Sequence, residues 1–242
     1  MKYSFDYLEI THLPRGERVL LRLLRPGDRE RLAAGFEALS PETRFSRFFT
    51  AKNTLTDDEL TYLTEIDGVD HVAIGAAIAI GNDHPPQEGE GLAVARFVRL
   101  KDEPTIAEAA IVVADGWRGH GLGRLLFERL IEAAAERGIE KLRCEVLAKN
   151  DAMRTLLRKI APEAELEAEV NAELLSHGMA DVLVVDLPLP RRTEHSGTDW
   201  FRVGVLYDLL TMAAQRVVIL RRAADWWARL QHAGSDAPPK RD

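Results

Sequence analysis

Ile111-Val112-Val113-Ala114-Asp115-Gly116-Trp117-Arg118-Gly119-His120-Gly121-Leu122-Gly123 is the stretch on which the reading of this chain turns. A β-branched run leads through a short polar link into closely spaced glycines. From Gly121 the apolar period lengthens to three and four: Leu122, Leu125, Leu126, Leu130, Ala133 and Ala134 form one helical face, which Gly138 closes. Another apolar strand follows at 141–148, so the unit is β-loop-α-β with its glycine turn at the helix start. The first turn of a helix offers backbone N–H groups without intrahelical partners, at the positive end of the dipole. Gly119, Gly121 and Gly123 keep side chains out of the way of a phosphate, and Arg118 adds a cation, so the turn reads as an anion site. Glycine spacing alone describes an empty tight turn equally well. The ordered strand and helix around it favour the binding reading.

Working outward, residues 18–25 read as a first strand, stopped by Pro26-Gly27-Asp28, with Asp28 as cap of a helix to about Leu39. Ser40-Pro41 restarts a short helix with Ser40 as cap. Thr56 and Glu59 form a capping box for a third helix, which ends near Asp67-Gly68. Apolar runs at 71–80, 92–100 and 106–114 are expected to form an antiparallel meander. After the strand at 141–148 come a helix at about 151–160, stopped by Pro162, and strands near 164–174 and 181–189. Pro188-Leu189-Pro190-Arg191-Arg192 marks the first candidate boundary, which divides the chain into residues 1–190 and 191–242.

With 242 residues, 46% hydrophobic and 29% charged, the chain has enough apolar side chains for a sizeable core. The single Cys144 excludes an intramolecular disulfide, and no Cys/His pair has zinc-ligand spacing; a reducing compartment, the cytoplasm, is the simplest expectation, and no metal is expected. The start of the chain lacks a signal-like apolar run, and no stretch approaches the roughly 18 apolar residues of a spanning helix. A net charge of -7 gives no general attraction for nucleic acid or anionic lipid.

The loop and its setting resemble the GNAT superfamily of acetyltransferases, whose pyrophosphate loop reads Arg/Gln-x-x-Gly-x-Gly/Ala, here Arg118, Gly121 and Gly123. Leu39-Ser40-Pro41-Glu42-Thr43-Arg44-Phe45-Ser46-Arg47-Phe48-Phe49, Ala95-Arg96-Phe97 and Ala107 to Asp115 look like the acetyltransferase domain of bacterial protein-lysine acetyltransferases (Pat-like). The resemblance implies an α/β (α+β) fold: a mixed, mostly antiparallel twisted sheet of about seven strands flanked by helices. It implies acetyl-CoA as co-substrate and direct transfer of the acetyl group to a primary amine, either a protein lysine or a small-molecule amine. The pantetheine arm would lie along the backbone of Ile111, Val112 and Val113, and the pyrophosphate on Arg118, Gly119, His120, Gly121, Leu122, Gly123 and Arg124. Asn150 matches a pantetheine-contacting asparagine, although Asn150 or Asp151 suits a helix cap equally well.

Glu108 matches the family's general base. Its parity puts it on one face with Ile106, Ala110 and Val112, and a buried carboxylate with a raised pKa suits that work. An ordinary solvent-facing strand residue is the bland alternative. The chain departs from a common family pattern at Leu156-Leu157, where many relatives place a tyrosine that protonates the departing thiolate. His120 reads as a solvated turn residue and Cys144 as a small core residue, which makes a cysteine-acyl route improbable. Arg44, Phe45, Arg47, Phe48 and Phe49 either wall the acceptor site or dock an aromatic face on the sheet.

The pattern from about Trp200 to Leu230 reads as one long helix whose apolar stripe, Val203 to Trp227, is widened by Leu209, Met212, Ile219 and Trp226. Packing on a second copy or on its own domain is preferred over an interfacial membrane helix, the choice that Arg216, Arg221, Arg222 and Arg229 would favour. Two other functions find partial support in the sequence. A non-catalytic acyl-CoA-binding regulatory module draws on the missing tyrosine. A dinucleotide-binding oxidoreductase draws on Gly119-x-Gly121, but its third glycine falls at Arg124 and Glu145 sits inside its strand.

Overall fold

The computed structural model describes residues 1–48, 52–160, 168–169 and 182–189. The chain opens with β1 (Leu8–His12) and β2 (Arg18–Leu23), which pair antiparallel from Leu8↔Arg22 to His12↔Arg18. Three short helices follow, α1 (Arg29–Ala38), α2 (Pro41–Phe48) and α3 (Asp57–Thr64). The expected meander is β3 (His71–Ile80), β4 (Gln87–Arg99) and β5 (Ile106–Val113), all antiparallel. Then come α4 (Leu122–Ala135), β6 (Lys141–Leu147), α5 (Asp151–Ile160), the two-residue β7 (Ala168–Glu169) and β8 (Val182–Pro188). Among the described residues the sheet has eight strands in the order β1-β2-β3-β4-β5-β6-β8-β7, and β5–β6 is its only parallel pair.

The strands are buried on both faces. Val19, Leu21, Ala107, Ala109, Leu142 and Cys144 face α4, whose Leu122, Leu126, Phe127 and Leu130 are completely buried against them. Leu20, Ala110 and Val112 point the other way, into an apolar cavity of ≈ 130 Å³ beneath α1, α2 and α3. Near-continuous apolar strands are the expected consequence of helices on both sides. At about 25 cal/mol per Å² of apolar area, each fully buried leucine contributes roughly 1.5–3 kcal/mol.

Most caps are where the sequence puts them. Thr56 accepts from Glu59 N–H (3.3 Å) while the Glu59 carboxylate accepts from Thr56 N–H (2.8 Å), and Ser40 Oγ accepts from Thr43 N–H (3.2 Å). Gly138 takes φ 72° beyond the last turn of α4. Asp28 behaves differently: it stands before α1 but makes no side-chain cap. Its carboxylate instead accepts a two-pronged bond from Arg22 (2.7 and 2.6 Å) and one from Arg25 N–H (2.8 Å). A guanidinium fork outcompetes a weak backbone donor for a carboxylate.

Sequence reasoning missed β1. Leu8-Glu9-Ile10-Thr11-His12 is a short, half-exposed edge strand joined to β2 by the tight turn at Leu13–Glu17. β4 starts five residues before the expected 92, because the register with β3 shifts between Ala76 and Ala79 and lets Gln87–Gly91 join the ladder irregularly. The expected strand near 164–174 is represented in the described residues by Ala168–Glu169 alone. Phe49, the division at 190/191 and the helix expected over 200–230 lie outside the described residues. No helix among the described residues is long and apolar enough to cross a membrane.

Candidate active site

β5 delivers the chain to the glycine loop through a single turn, Asp115–Trp117, and the loop then turns into α4. Gly119 has φ 77° and Gly121 φ 87°, both left-handed, a conformation that glycine adopts without steric cost. Leu125 is the first residue of α4 to donate back, to the Gly121 carbonyl at 3.1 Å. The N–H groups of Leu122, Gly123 and Arg124 therefore stand at the open helix end with no side-chain cap. The three glycines differ in purpose. A Cβ on Gly119 would meet nothing within 4 Å, one on Gly121 would lie 3.1 Å from Pro14, and one on Gly123 would make ordinary contact with Val113, Leu156 and Ile111 at 3.7–3.9 Å.

The loop is fastened from two sides. Asp115 accepts from Ser40 N–H (2.7 Å) and Thr43 Oγ1 (2.5 Å), and Arg118 Nη2 donates to the same Thr43 hydroxyl (2.5 Å). Burial alone would raise the Asp115 pKa; the bonds from Thr43 and Ser40 more than offset it and hold this carboxyl below its usual range. The start of α2 is thereby fixed to the loop. From the other side, His120 places Nδ1 2.7 Å from Glu17 and Nε2 3.1 Å from Arg15, with its ring against Trp117. Arg118 thus sits at the loop as expected but is turned toward α2, while His120 is a brace between the loop and the β1–β2 turn. Arg124 is exposed and paired with Glu128 (2.7 Å).

The β5–β6 ladder runs from Ile106↔Lys141 to Ala109↔Cys144 and stops there, although β5 continues to Val113 and β6 to Leu147. Two parallel strands that part in this way leave a slot between them, with the Ala110–Val113 backbone on one side and the open end of α4 beyond it. Glu108 stands one residue before the parting, half-buried, opposite Val98 on β4 and Arg143 on β6. It shares its face with Ala110 and Val112, as parity requires. Asn150 lies three residues beyond the end of β6, where its Oδ1 accepts from Met153 N–H at 3.1 Å and caps α5.

One residue of this constellation escaped sequence reasoning. Glu145 lies on the β6 face that carries Arg143, just past the last β5–β6 pair, and burial followed by the nearby Glu108 charge pushes its carboxyl up to about 7. Arg143 opposes that rise weakly, since its guanidinium is engaged by Asp186 (2.8 and 3.0 Å) and Glu103 (3.3 Å). Charged residues alternate along β6 at Lys141, Arg143 and Glu145, so nothing local singles out Glu145. The partner across the gap is 37 residues away in sequence and is met only through the parallel register. Cys144 points to the opposite face, completely buried, with its thiol pKa driven up by desolvation; it is the core residue expected.

Residues 29–161 match the Acetyltransferase (GNAT) family. This chain belongs to that family. It is 36% identical over 146 residues to "Acetyltransferase Pat" of Mycolicibacterium smegmatis, a match that covers 60% of this chain and 41% of that protein. It thus spans about two fifths of the length of that relative. It is 31% identical over 147 residues to "Acetyltransferase PA5475" of Pseudomonas aeruginosa, covering 61% of this chain and 76% of that one. Among solved structures, the GNAT domain of S. lividans PAT superposes with a TM-score of 0.65 at 26% identity, covering 77% of this chain and 99% of that domain. The protein yncA from Salmonella typhimurium, solved with its cofactor acetyl-CoA, has a TM-score of 0.53 at 16% identity and covers 75% of this chain and 98% of that one; it shares the fold. The GNAT fold expected from the sequence is the one found.

Proposed function

We propose that the protein is an acetyl-CoA-dependent N-acetyltransferase that moves the acetyl group directly to a primary amine, with Glu108 as general base. The observation that carries this reading is the slot: β5 and β6 part after Ala109/Cys144, at the open N-terminus of α4 and one residue beyond Glu108. An extended pantetheine arm needs exposed strand backbone, and a pyrophosphate needs unpaired N–H groups and left-handed glycines; both lie on one line here. Ile111, Val112 and Val113 would hold the arm, and Gly119 to Arg124 the pyrophosphate. Asn150 would do so only with a group not already used to cap α5. Both nearby family members are named acetyltransferases, which supports the donor.

The face around Glu108 also carries Glu145 and Asp186, with Arg143 and Lys141 on β6 and Arg96 opposite Ala110 on β4, so it offers polar partners of both signs to a primary amine, whether a lysine side chain or a small molecule. The amine loses one proton to solvent before attack and a second to Glu108 as the C–N bond forms. Release of free thiol from acetyl-CoA, measured across protein and small-molecule amines, tests the reading. The wild type is expected to release thiol in proportion to acetylated amine. Glu108→Gln is expected to lower kcat by about 10²–10⁴-fold, the usual range for a general base, with acetyl-CoA affinity retained. A second reading, a module that binds acyl-CoA without transfer, draws on the lack of a tyrosine in α5 and would show as tight acetyl-CoA binding with no thiol release.

A further inference from the structure

The transfer expels coenzyme A as a thiolate, the conjugate base of a thiol with an ordinary pKa of about 8.5, so the sulfur takes up a proton at neutral pH, and α5 (Asp151–Ile160) contains no tyrosine to supply it. Three features single out another donor. Glu145 follows the last paired position of β6, Cys144, so it stands where the slot between β5 and β6 begins. It projects to the face that carries Glu108, because Glu108 pairs with Arg143 and Glu145 is two residues on. Among the described residues its carboxylate receives no hydrogen bond, it is half-buried, and the charges that act on it are those of Glu108 on β5 and Arg143 on β6. Burial, followed by the nearby Glu108 charge, pushes the Glu145 carboxyl up to about 7, so that part of it carries a proton at neutral pH.

We propose that Glu145 is the acid of the reaction, the group that protonates the departing thiolate. This rests on the transferase reading above. The amine nitrogen forms its bond to the thioester carbonyl carbon and its proton passes to the Glu108 carboxylate. The C–S bond breaks with its electron pair on sulfur, and that pair takes the proton of the Glu145 carboxyl. Glu108 ends protonated and Glu145 ionised; one proton moving from Glu108 to Glu145, directly or through water, restores both. No other reactant is needed. The two carboxylates divide the work that relatives with a tyrosine divide between a carboxylate and a phenol.

The experiment uses the full chain and has two arms. In the first, side-chain carboxyl carbons are titrated by NMR without donor or acceptor, and Glu145→Gln identifies the Glu145 signal. That signal is expected to titrate near neutral pH and to move down in Glu108→Gln, where the neighbouring charge is gone. In the second, kcat is measured against pH with saturating acetyl-CoA and amine. The wild type is expected to lose rate as pH rises through the Glu145 transition, because the acid must be protonated.

Glu145→Gln, which keeps an N–H donor but cannot give up a proton, is expected to lower kcat by about 10–1000-fold and to abolish the alkaline limb. Acetyl-CoA affinity, acceptor KM and melting temperature should stay near wild type. A Glu145 signal that titrates in the ordinary carboxylate range overturns the proposal. So does a Glu145→Gln enzyme with wild-type kcat and alkaline limb, or one that changes acceptor KM alone, which would make Glu145 an acceptor-recognition group. If the wild type releases no thiol with any amine, the transferase reading fails and this role with it; the titration arm tells the two failures apart, because it needs no turnover.

Discussion

The three loop glycines permit a graded test of the phosphate cradle. Replacing each by alanine adds one Cβ, but the surroundings differ. At Gly119 the backbone is left-handed (φ 77°) and the space is open, so alanine costs about 1–2 kcal/mol of conformational energy and nothing in contact. At Gly121 the same penalty applies (φ 87°), and the new Cβ would also sit 3.1 Å from Pro14, so the loop must rotate or the β1–β2 turn must retreat. Rotation misaims backbone N–H groups, and losing one hydrogen bond to a charged phosphate costs about 1.5–3 kcal/mol, or about 10- to 150-fold in Kd. At Gly123 the backbone is helical and the new methyl meets Val113, Leu156 and Ile111 at 3.7–3.9 Å, so it is accommodated and removes the helix penalty of glycine, up to about 1 kcal/mol. Isothermal titration with acetyl-CoA and thermal unfolding read both quantities. Gly121→Ala should bind weakest and melt earliest, Gly119→Ala should fall between, and Gly123→Ala should match the wild type in affinity within about twofold. Wild-type affinity in Gly121→Ala, or an equal loss in Gly123→Ala, would refute the placement of the pyrophosphate on this turn.

Other outcomes follow from the same structure. Asp28 and Glu88 share Arg22: hydrogen bonds from Arg22, together with Arg25 N–H on Asp28 and Arg31 on Glu88, hold both carboxyls below their usual range despite burial. A folded pKa below the unfolded one stabilises above about pH 4 and is lost as pH falls through the folded value. Asp28→Asn should therefore lower stability at pH 7, by about 3 kcal/mol for a broken, largely buried pair, and the gap to wild type should narrow on acidification; pH-dependent urea unfolding checks this. Cys144, completely buried and with its thiol pKa raised, should react with a thiol reagent only in denaturant; rapid labelling of the native protein would contradict its core position.

What sequence alone determined was local. The Thr56/Glu59 box, the Ser40 cap, the α4 stripe, the stop at Gly138 and the left-handed glycines each depend on residues within a few positions of one another, so propensity and period suffice to find them. Even the face of Glu108 was legible, since alternation along one strand fixes it. Tertiary structure decided the rest, because those features depend on which strands pair and which side chains the fold brings within reach. β1 is a strand only because β2 offers it an edge. Asp28 serves Arg22 instead of its helix because a sheet guanidinium lies within reach. Arg118 turns to Thr43, and His120 links Glu17 to Arg15, across separations of 75 to 105 residues. Glu145 is the sharpest case. Nothing near it in sequence marks it as special, and only the parallel register of β5 with β6 sets its carboxyl beside Glu108, at the place where the strands part.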